Sequence, residues 1–131
     1  MMQREPISDN LNQIAKHIVD AAFNVHFSLG PGLLESVYEV CLEYELTKRG
    51  LKVDRQVDLP VVYEDIQLEA GFRLDLLVNE SVILELKAVE NLLPVHTAQI
   101  ITYLKLSKRR LGFLINFNVP LIKDGIKRIA V

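Results

Sequence analysis

Apolar residues recur at the spacing of an α-helix in three parts of the chain. The first run begins after Ser8 or Asp9, either of which suits a helix N-cap, and it ends at Gly30-Pro31-Gly32. The second run covers about 33–49, and the third covers about 94–108, which a proline opens. The pattern therefore predicts three helices.

Between the second and third helices, the period changes to that of β-strands. Segments rich in Val, Ile, Leu and Tyr are separated by short polar turns and cover 53–58, 60–63, 66–69, 72–78 and 82–89. After the third helix, 111–117 is a nearly continuous apolar run typical of a buried strand, and a final piece covers 126–131. This order predicts the α/β (α+β) class, with a mixed central sheet flanked by helices.

Two neighbouring predicted strands carry charged residues among apolar ones. In 72–78, strict alternation places the even-numbered residues on one face and Asp75, with the other odd-numbered residues, on the opposite face. In 82–89, Glu85 and Lys87 are two residues apart and share one face. Three charged side chains thus occur in strands that are otherwise suited to burial.

The loop between these strands decides whether the charges meet, because a slip of one residue moves every side chain of a strand to the other face. A two-residue loop at 79–80 separates Asp75 from Glu85, whereas a three-residue loop at 79–81 places them opposite each other. Isolated buried charges cost several kcal/mol or more unless they are paired or bound to metal. We therefore predict the three-residue loop.

Two opposed carboxylates repel each other, and a divalent cation removes that repulsion while supplying a Lewis acid. Mg²⁺, or Mn²⁺ in its place, suits oxygen ligands and keeps waters that serve as nucleophiles. Lys87 would orient the attacking water or neutralise charge on a phosphate, so the implied reaction is phosphodiester hydrolysis. A structural ion-pair cluster on the sheet is the alternative explanation of these three charges.

Further polar residues occur on the inward sides of two predicted helices. Glu35 shares its helix side with Tyr38 and faces the body of the protein, although a first-turn glutamate is also favoured by the helix dipole alone. Gln99 and Tyr103 are four residues apart and share a face of the third helix, where a polar pair tied to the sheet is the simpler interpretation.

The length and composition of the chain indicate the number of domains, the location of the protein and the kind of metal site it could hold. The 131 residues, half of them hydrophobic, predict one domain over 1–131, with 1–8 as a flexible N-terminus. Without a secretory signal or an apolar stretch of about 20 residues, we expect a soluble, cytoplasmic protein with no membrane partner. One cysteine and three unpaired histidines leave oxygen ligands for any metal, and the net charge of −2 argues against an unspecific basic coat for nucleic acid.

Several motifs together resemble a known family. The stretches that carry the resemblance are 30–46, 72–78, 83–90, 98–106, 111–117 and 124–129. They closely resemble the GxxExxY family, named for the positions of Gly32, Glu35 and Tyr38 and regarded as part of the PD-(D/E)xK nuclease superfamily. The resemblance covers about 10–131 with no departure at a motif position, and it implies a restriction-endonuclease-like αβββαβ core.

The resemblance also implies roles for particular residues. It places Glu35 as the helical acid, Asp75 as the strand aspartate, Glu85 and Lys87 as the ExK pair, and Gln99 and Tyr103 as the QxxxY element of RecB-type nucleases. The expected metal ligands are Glu35, Asp75 and Glu85, and the expected activity is metal-dependent hydrolysis of nucleic acid, with DNA as the expected substrate. A non-catalytic module that binds nucleic acid or protein, and a hydrolase of small phosphodiesters, are the alternatives. A homodimer or a protein partner is also expected.

Overall fold

The structure is a computed structural model that describes residues 5–131. Its elements in chain order are α1 (Asp9–Leu29), α2 (Glu35–Lys48), β1 (Val53–Tyr63), β2 (Ile66–Val78), β3 (Val82–Lys87), α3 (Pro94–Ser107), β4 (Leu111–Asn116), a 3₁₀ turn (Ile122–Asp124) and β5 (Ile126–Ala130). Ser8 caps α1, because its side chain accepts a hydrogen bond from the amide of Leu11. Of the predicted flexible N-terminus, residues 1–4 lie outside the described residues.

The strands form one five-stranded sheet in the order β1-β2-β3-β4-β5. Among the strands within residues 5–131, β3 and β4 are parallel and α3 connects them, whereas the other neighbouring pairs are antiparallel. The α1/α2 face is the side of the sheet where α1 and α2 pack, for example through Ile18 and Leu42. The α3 face is the side where Ile100 and Leu104 pack. The predicted fold class, including the αβββαβ core, is confirmed.

The segments predicted as four short strands between 53 and 78 form two long strands instead. Pro60 lies within β1 because β1 is an edge strand, where a missing backbone donor leaves no neighbour unpaired. The pairing register of the β1/β2 ribbon, which is the antiparallel pair formed by these two strands, shifts between Leu59 and Val61. Opposite this irregularity, a β-carbon added to Gly71 would lie 1.9 Å from a methyl carbon of Val61, so glycine allows the close approach.

The prediction of strict alternation along 72–78 is wrong at one point. Leu76 packs on the α1/α2 face, whereas Leu74, two residues earlier, packs with Leu77 on the α3 face. In a regular strand, residues two apart share a face. The strand therefore changes its facing between these two leucines, at Asp75.

The change coincides with an irregularity in β1. Arg55 pairs with Leu76 and Val57 pairs with Leu74, but Gln56 and Asp75 between them are not part of the ladder. Gln56 has a φ of 54°, in the left-handed region that a residue with a side chain seldom adopts. On the two sides of this left-handed residue, alternate side chains of both β1 and β2 point to opposite faces of the sheet, instead of sharing one face as in regular strands.

Within the described residues, no helix is both long and apolar enough to cross a membrane.

The loop before α2 is held by the buried side chain of Tyr38. Its hydroxyl donates a hydrogen bond to the carbonyl of Gly30 at 2.6 Å and accepts one from the amide of Leu33 at 3.1 Å. Its ring stacks on Phe117, with the ring centroids 4.6 Å apart. Tyr38 thus fixes the start of α2, which is the helix that carries Glu35.

We expect Tyr38→Phe to lower the free energy of unfolding by about 1–2 kcal/mol, because two part-buried backbone groups lose their partner. The matched control is Tyr44→Phe, since Tyr44 is 67% exposed and its hydroxyl bonds to no group within residues 5–131; its effect should stay within about 0.5 kcal/mol. Urea unfolding of both variants measures the difference. Equal losses would contradict the role given to the Tyr38 hydroxyl.

Candidate active site

The connection between β2 and β3 is the three-residue loop that the burial of charge predicts. Val78 pairs with Val82, so the loop consists of 79–81. Asn79 has a φ of 49°, which asparagine tolerates better than most residues, and its side-chain oxygen accepts a hydrogen bond from the amide of Lys52 at 2.8 Å. The register of the two charged strands is therefore confirmed.

Beyond the pair Leu76 and Leu84, carboxylates replace the backbone ladder between β2 and β3. The amide of Asp75 donates to Oε1 of Glu85 at 3.3 Å, and the amide of Leu86 donates to Oδ2 of Asp75 at 2.8 Å. Side-chain oxygens thus accept two hydrogen bonds from backbone donors at the point where the ladder stops. This reciprocal arrangement, which we call the carboxylate pair (Asp75 and Glu85), fixes both side chains between the strands.

The pKa of Glu85 in the carboxylate pair is strongly raised. Glu85 is only 8% exposed. Burial, and then the negative charge of Asp75, raise the pKa of Glu85 from 4.5 to about 8. With no cation beside it, Glu85 therefore keeps its proton at neutral pH, and a bound cation would take the place of that proton.

Lys87 lies at the end of β3, two residues after Glu85, and is half-buried. It forms no ion pair with any residue between 5 and 131. Its positive charge nevertheless acts to lower the pKa of Glu85 and of Glu35, so it lies near both acids. Lys87 thus supplies positive charge beside the carboxylates while no described residue holds its ammonium group in an ion pair.

Glu35 and Tyr103 approach the carboxylate pair from different helices. Glu35 begins α2 and is exposed as a residue, but burial of its carboxyl group, and then the charge of Asp75, raise its pKa. Burial, and then the charges of Glu85 and Asp75, raise the pKa of Tyr103, whose ring stacks on Phe72 with centroids 4.4 Å apart. The candidate site therefore lies between α2 and α3, where the β2/β3 ladder ends.

Gln99 is placed differently from the other predicted site residues. It is exposed on α3, one turn before Tyr103, and its side chain forms no hydrogen bond with a described residue. The structure thus brings together Glu35, Asp75, Glu85, Lys87 and Tyr103, and it leaves Gln99 at the surface.

Glu39 is a site residue that the sequence analysis missed. It is 9% exposed, and its Oε1 accepts a hydrogen bond from Nε2 of Gln56 at 2.5 Å. Burial is the first cause that raises its pKa, and the charge of Asp75 contributes, so Glu39 also lies near the carboxylate pair. The four-residue spacing from Glu35 places both acids on one side of α2, and this spacing could have revealed it.

The donor set suits a hard divalent cation. Between residues 5 and 131, no three His, Cys, Asp or Glu side chains lie close enough together to hold a metal by themselves. Magnesium, however, is commonly bound by one or two carboxylates together with waters and substrate phosphates. Asp75 and Glu85 supply two carboxylates whose repulsion a cation would relieve, and the residues present therefore fit Mg²⁺ or Mn²⁺.

Comparison with protein families gives one result for this chain. A family model described as the PD-(D/E)XK nuclease superfamily matches residues 12–129, which include all the candidate site residues. Comparison with curated proteins gives no match, and comparison with solved structures gives none.

Proposed function

Since this chain belongs to the PD-(D/E)XK nuclease superfamily, we propose that it is a metal-dependent nuclease that hydrolyses phosphodiester bonds of nucleic acid, with DNA as the first substrate to test. The observation that carries the proposal is the carboxylate pair with Lys87 beside it. A buried Glu85 beside a half-buried Asp75, with a nearby lysine that forms no ion pair within residues 5–131, is costly for stability, and this cost is understandable where the groups perform chemistry.

In this proposal, Asp75 and Glu85 would hold Mg²⁺ or Mn²⁺ together with water molecules and substrate phosphate. Glu35 on α2 is the proposed third oxygen ligand, and it would have to move closer to the carboxylate pair than it lies in this structure, because no three such side chains between residues 5 and 131 are close enough to share a metal. When bound, the cation polarises a phosphoryl oxygen and makes a water molecule more acidic. Binding requires Glu85 to lose its proton, so the cation and the proton compete for the same carboxylate.

The chain's own residues would perform the remaining tasks. Lys87 orients the attacking water and neutralises negative charge that develops on the phosphate. The water oxygen forms a bond to phosphorus and gives up a proton to solvent, while the bond to the leaving oxygen breaks and that oxygen takes up a proton from solvent. Tyr103 supports the carboxylate pair from α3, and Gln99, exposed one turn earlier, is available to contact the nucleic-acid strand.

We also propose that the chain belongs to the GxxExxY group within the superfamily. Gly32 has a φ of 95°, which favours glycine, Glu35 begins α2, and Tyr38 holds the intervening loop. Gly32 and Tyr38 thus shape the loop before α2, and Glu35 is the first residue of the helix that follows it.

The direct test of the proposed function is cleavage of single-stranded, duplex and branched DNA and of RNA, with Mg²⁺ or Mn²⁺. We expect metal-dependent cleavage by the wild type and none in the presence of a chelator. Asp75→Asn, which keeps the size of the side chain, should be inactive. If the wild type binds nucleic acid but cuts no substrate with either metal, the non-catalytic binding module is the better description.

Metal binding can be measured without a substrate. A cation that binds only the folded state should stabilise the protein by about 2.7 kcal/mol when its concentration is 100 times the dissociation constant. Thermal unfolding with and without Mn²⁺ should show this stabilisation in the wild type and not in Asp75→Asn. Asp58→Asn is the control, because Asp58 is exposed and paired with Arg73, and it should respond to Mn²⁺ as the wild type does.

A further inference from the structure

In both strands of the β1/β2 ribbon, the side chains of alternate residues switch from one face of the sheet to the other at the same level. In β1, Val53 packs on the α1/α2 face, whereas Val57, four residues later, packs on the α3 face. In β2, the leucines on either side of Asp75 differ in the same way. The change therefore occurs at Gln56 and Asp75, which lie across from each other outside the ladder.

The conformation of Gln56 needs support from its surroundings. A residue with a side chain and a φ of 54° is uncommon, and such a conformation persists where neighbouring structure holds it. The side chain of Gln56 donates its hydrogen bond to Glu39 on α2, and the other carboxylate oxygen of Glu39 lies 3.8 Å from Nε of Arg55. Glu39 thus contacts the side chains of two consecutive residues of β1 at the point where the facing changes.

This arrangement bears on Asp75 because the twist of the ribbon determines where its side chain leaves β2. On its other side, the Asp75 carboxylate accepts the hydrogen bond from the amide of Leu86 on β3. We propose that Glu39 is a positioning residue that, through Gln56, holds the left-handed residue in β1 and so fixes the Asp75 carboxylate within the candidate site. The consequence for cleavage rests on the proposed nuclease function.

The amide of Leu86 reports the position of Asp75 whether or not the protein is a nuclease. Hydrogen exchange of this amide, followed by NMR on the labelled protein, should be at least about 10-fold faster in Glu39→Ala than in the wild type, because the acceptor is displaced. Glu39→Gln keeps an acceptor oxygen for Gln56 and should stay close to the wild type. An unchanged Leu86 amide in a folded Glu39→Ala variant would overturn the proposal.

Cleavage assays distinguish positioning from metal ligation. We expect Glu39→Ala to lower kcat about 100-fold, as small misplacements of catalytic groups do, and Glu39→Gln to retain kcat within several-fold. If the Gln variant loses as much activity as the Ala variant, Glu39 acts as a ligand or a charge, and the positioning role is wrong. If the wild type cuts no nucleic acid, the proposed function fails, while the Leu86 amide still decides the positioning role.

A second substitution tests the mechanism of the effect. Glycine adopts a positive φ readily, so Gln56→Gly should remove the need for Glu39 to hold this residue. The double variant Glu39→Ala/Gln56→Gly should therefore recover most of the Leu86 protection, and of kcat, that Glu39→Ala loses. No recovery would contradict the proposal. If Glu39→Ala does not fold, a folded double variant with a protected Leu86 amide supports the proposal, and a double variant that is also unfolded contradicts it.

Discussion

Lys87→Ala should lower the rate of phosphodiester cleavage at least about 100-fold while leaving the fold and metal binding nearly unchanged, because preorganised groups that stabilise developing charge commonly contribute this much. Lys87 forms no ion pair with a residue between 5 and 131, so the fold does not depend on a contact of its ammonium group. Its charge acts on Glu35 and Glu85 from nearby. We therefore expect the loss to appear in kcat.

The measurement is a cleavage time course with Mn²⁺ for the wild type and three variants. Glu85→Ala should lose metal binding and cleavage together, because it removes a proposed ligand. Lys127→Ala, which removes an exposed lysine from β5, should cut as the wild type does. The stability of each variant should also be measured without metal, because removal of the Lys87 ammonium group leaves the negative charges of two nearby acids less compensated. If Lys87→Ala cuts at the wild-type rate, the mechanism assigned to Lys87 is wrong.

Without a bound cation, the stability of the protein should fall as the pH rises from about 5 to about 8, and Glu85→Gln should remove most of this fall. The pKa of Glu85 is raised in the folded state from 4.5 to about 8, so the folded protein keeps a proton that the unfolded chain releases. The associated stability is fully present below the unfolded pKa and is lost as the pH rises through the folded pKa. At 1.36 kcal/mol per pKa unit, the full effect is on the order of 5 kcal/mol.

Urea unfolding at several pH values, with a chelator present, measures this dependence. The control is Glu69→Gln, because Glu69 is exposed on β2 and its substitution should leave the pH dependence of the wild type intact. Excess Mn²⁺ at pH 8 should restore stability to the wild type, since the cation replaces the lost proton. If Glu85→Gln keeps the full pH dependence, the buried proton belongs to another group.

Local patterns in the sequence predicted much of this protein. The helical and strand periods predicted the order of the elements, because a helix or strand that is buried on one side carries apolar residues at its own characteristic spacing. The side-by-side placement of Glu85 and Lys87 followed from alternation within one short strand. The three-residue loop also followed from the sequence, since only that register avoided separate burial of Asp75 and Glu85.

Other features of the candidate site depended on contacts between distant parts of the chain. The left-handed conformation of Gln56 has no signal in local propensity, because glutamine seldom adopts it, and its side chain is held by Glu39 on another element. The side chains of β2 change faces at Asp75, across from Gln56, whereas the sequence pattern alone predicted unbroken alternation. Gln99 shares a helix side with Tyr103 in the sequence, yet only the packing of α3 decided which of the two is covered. Spacing thus determines which residues share a face of one element, whereas the tertiary structure decides which of them meet, because that depends on how separate elements pack against each other.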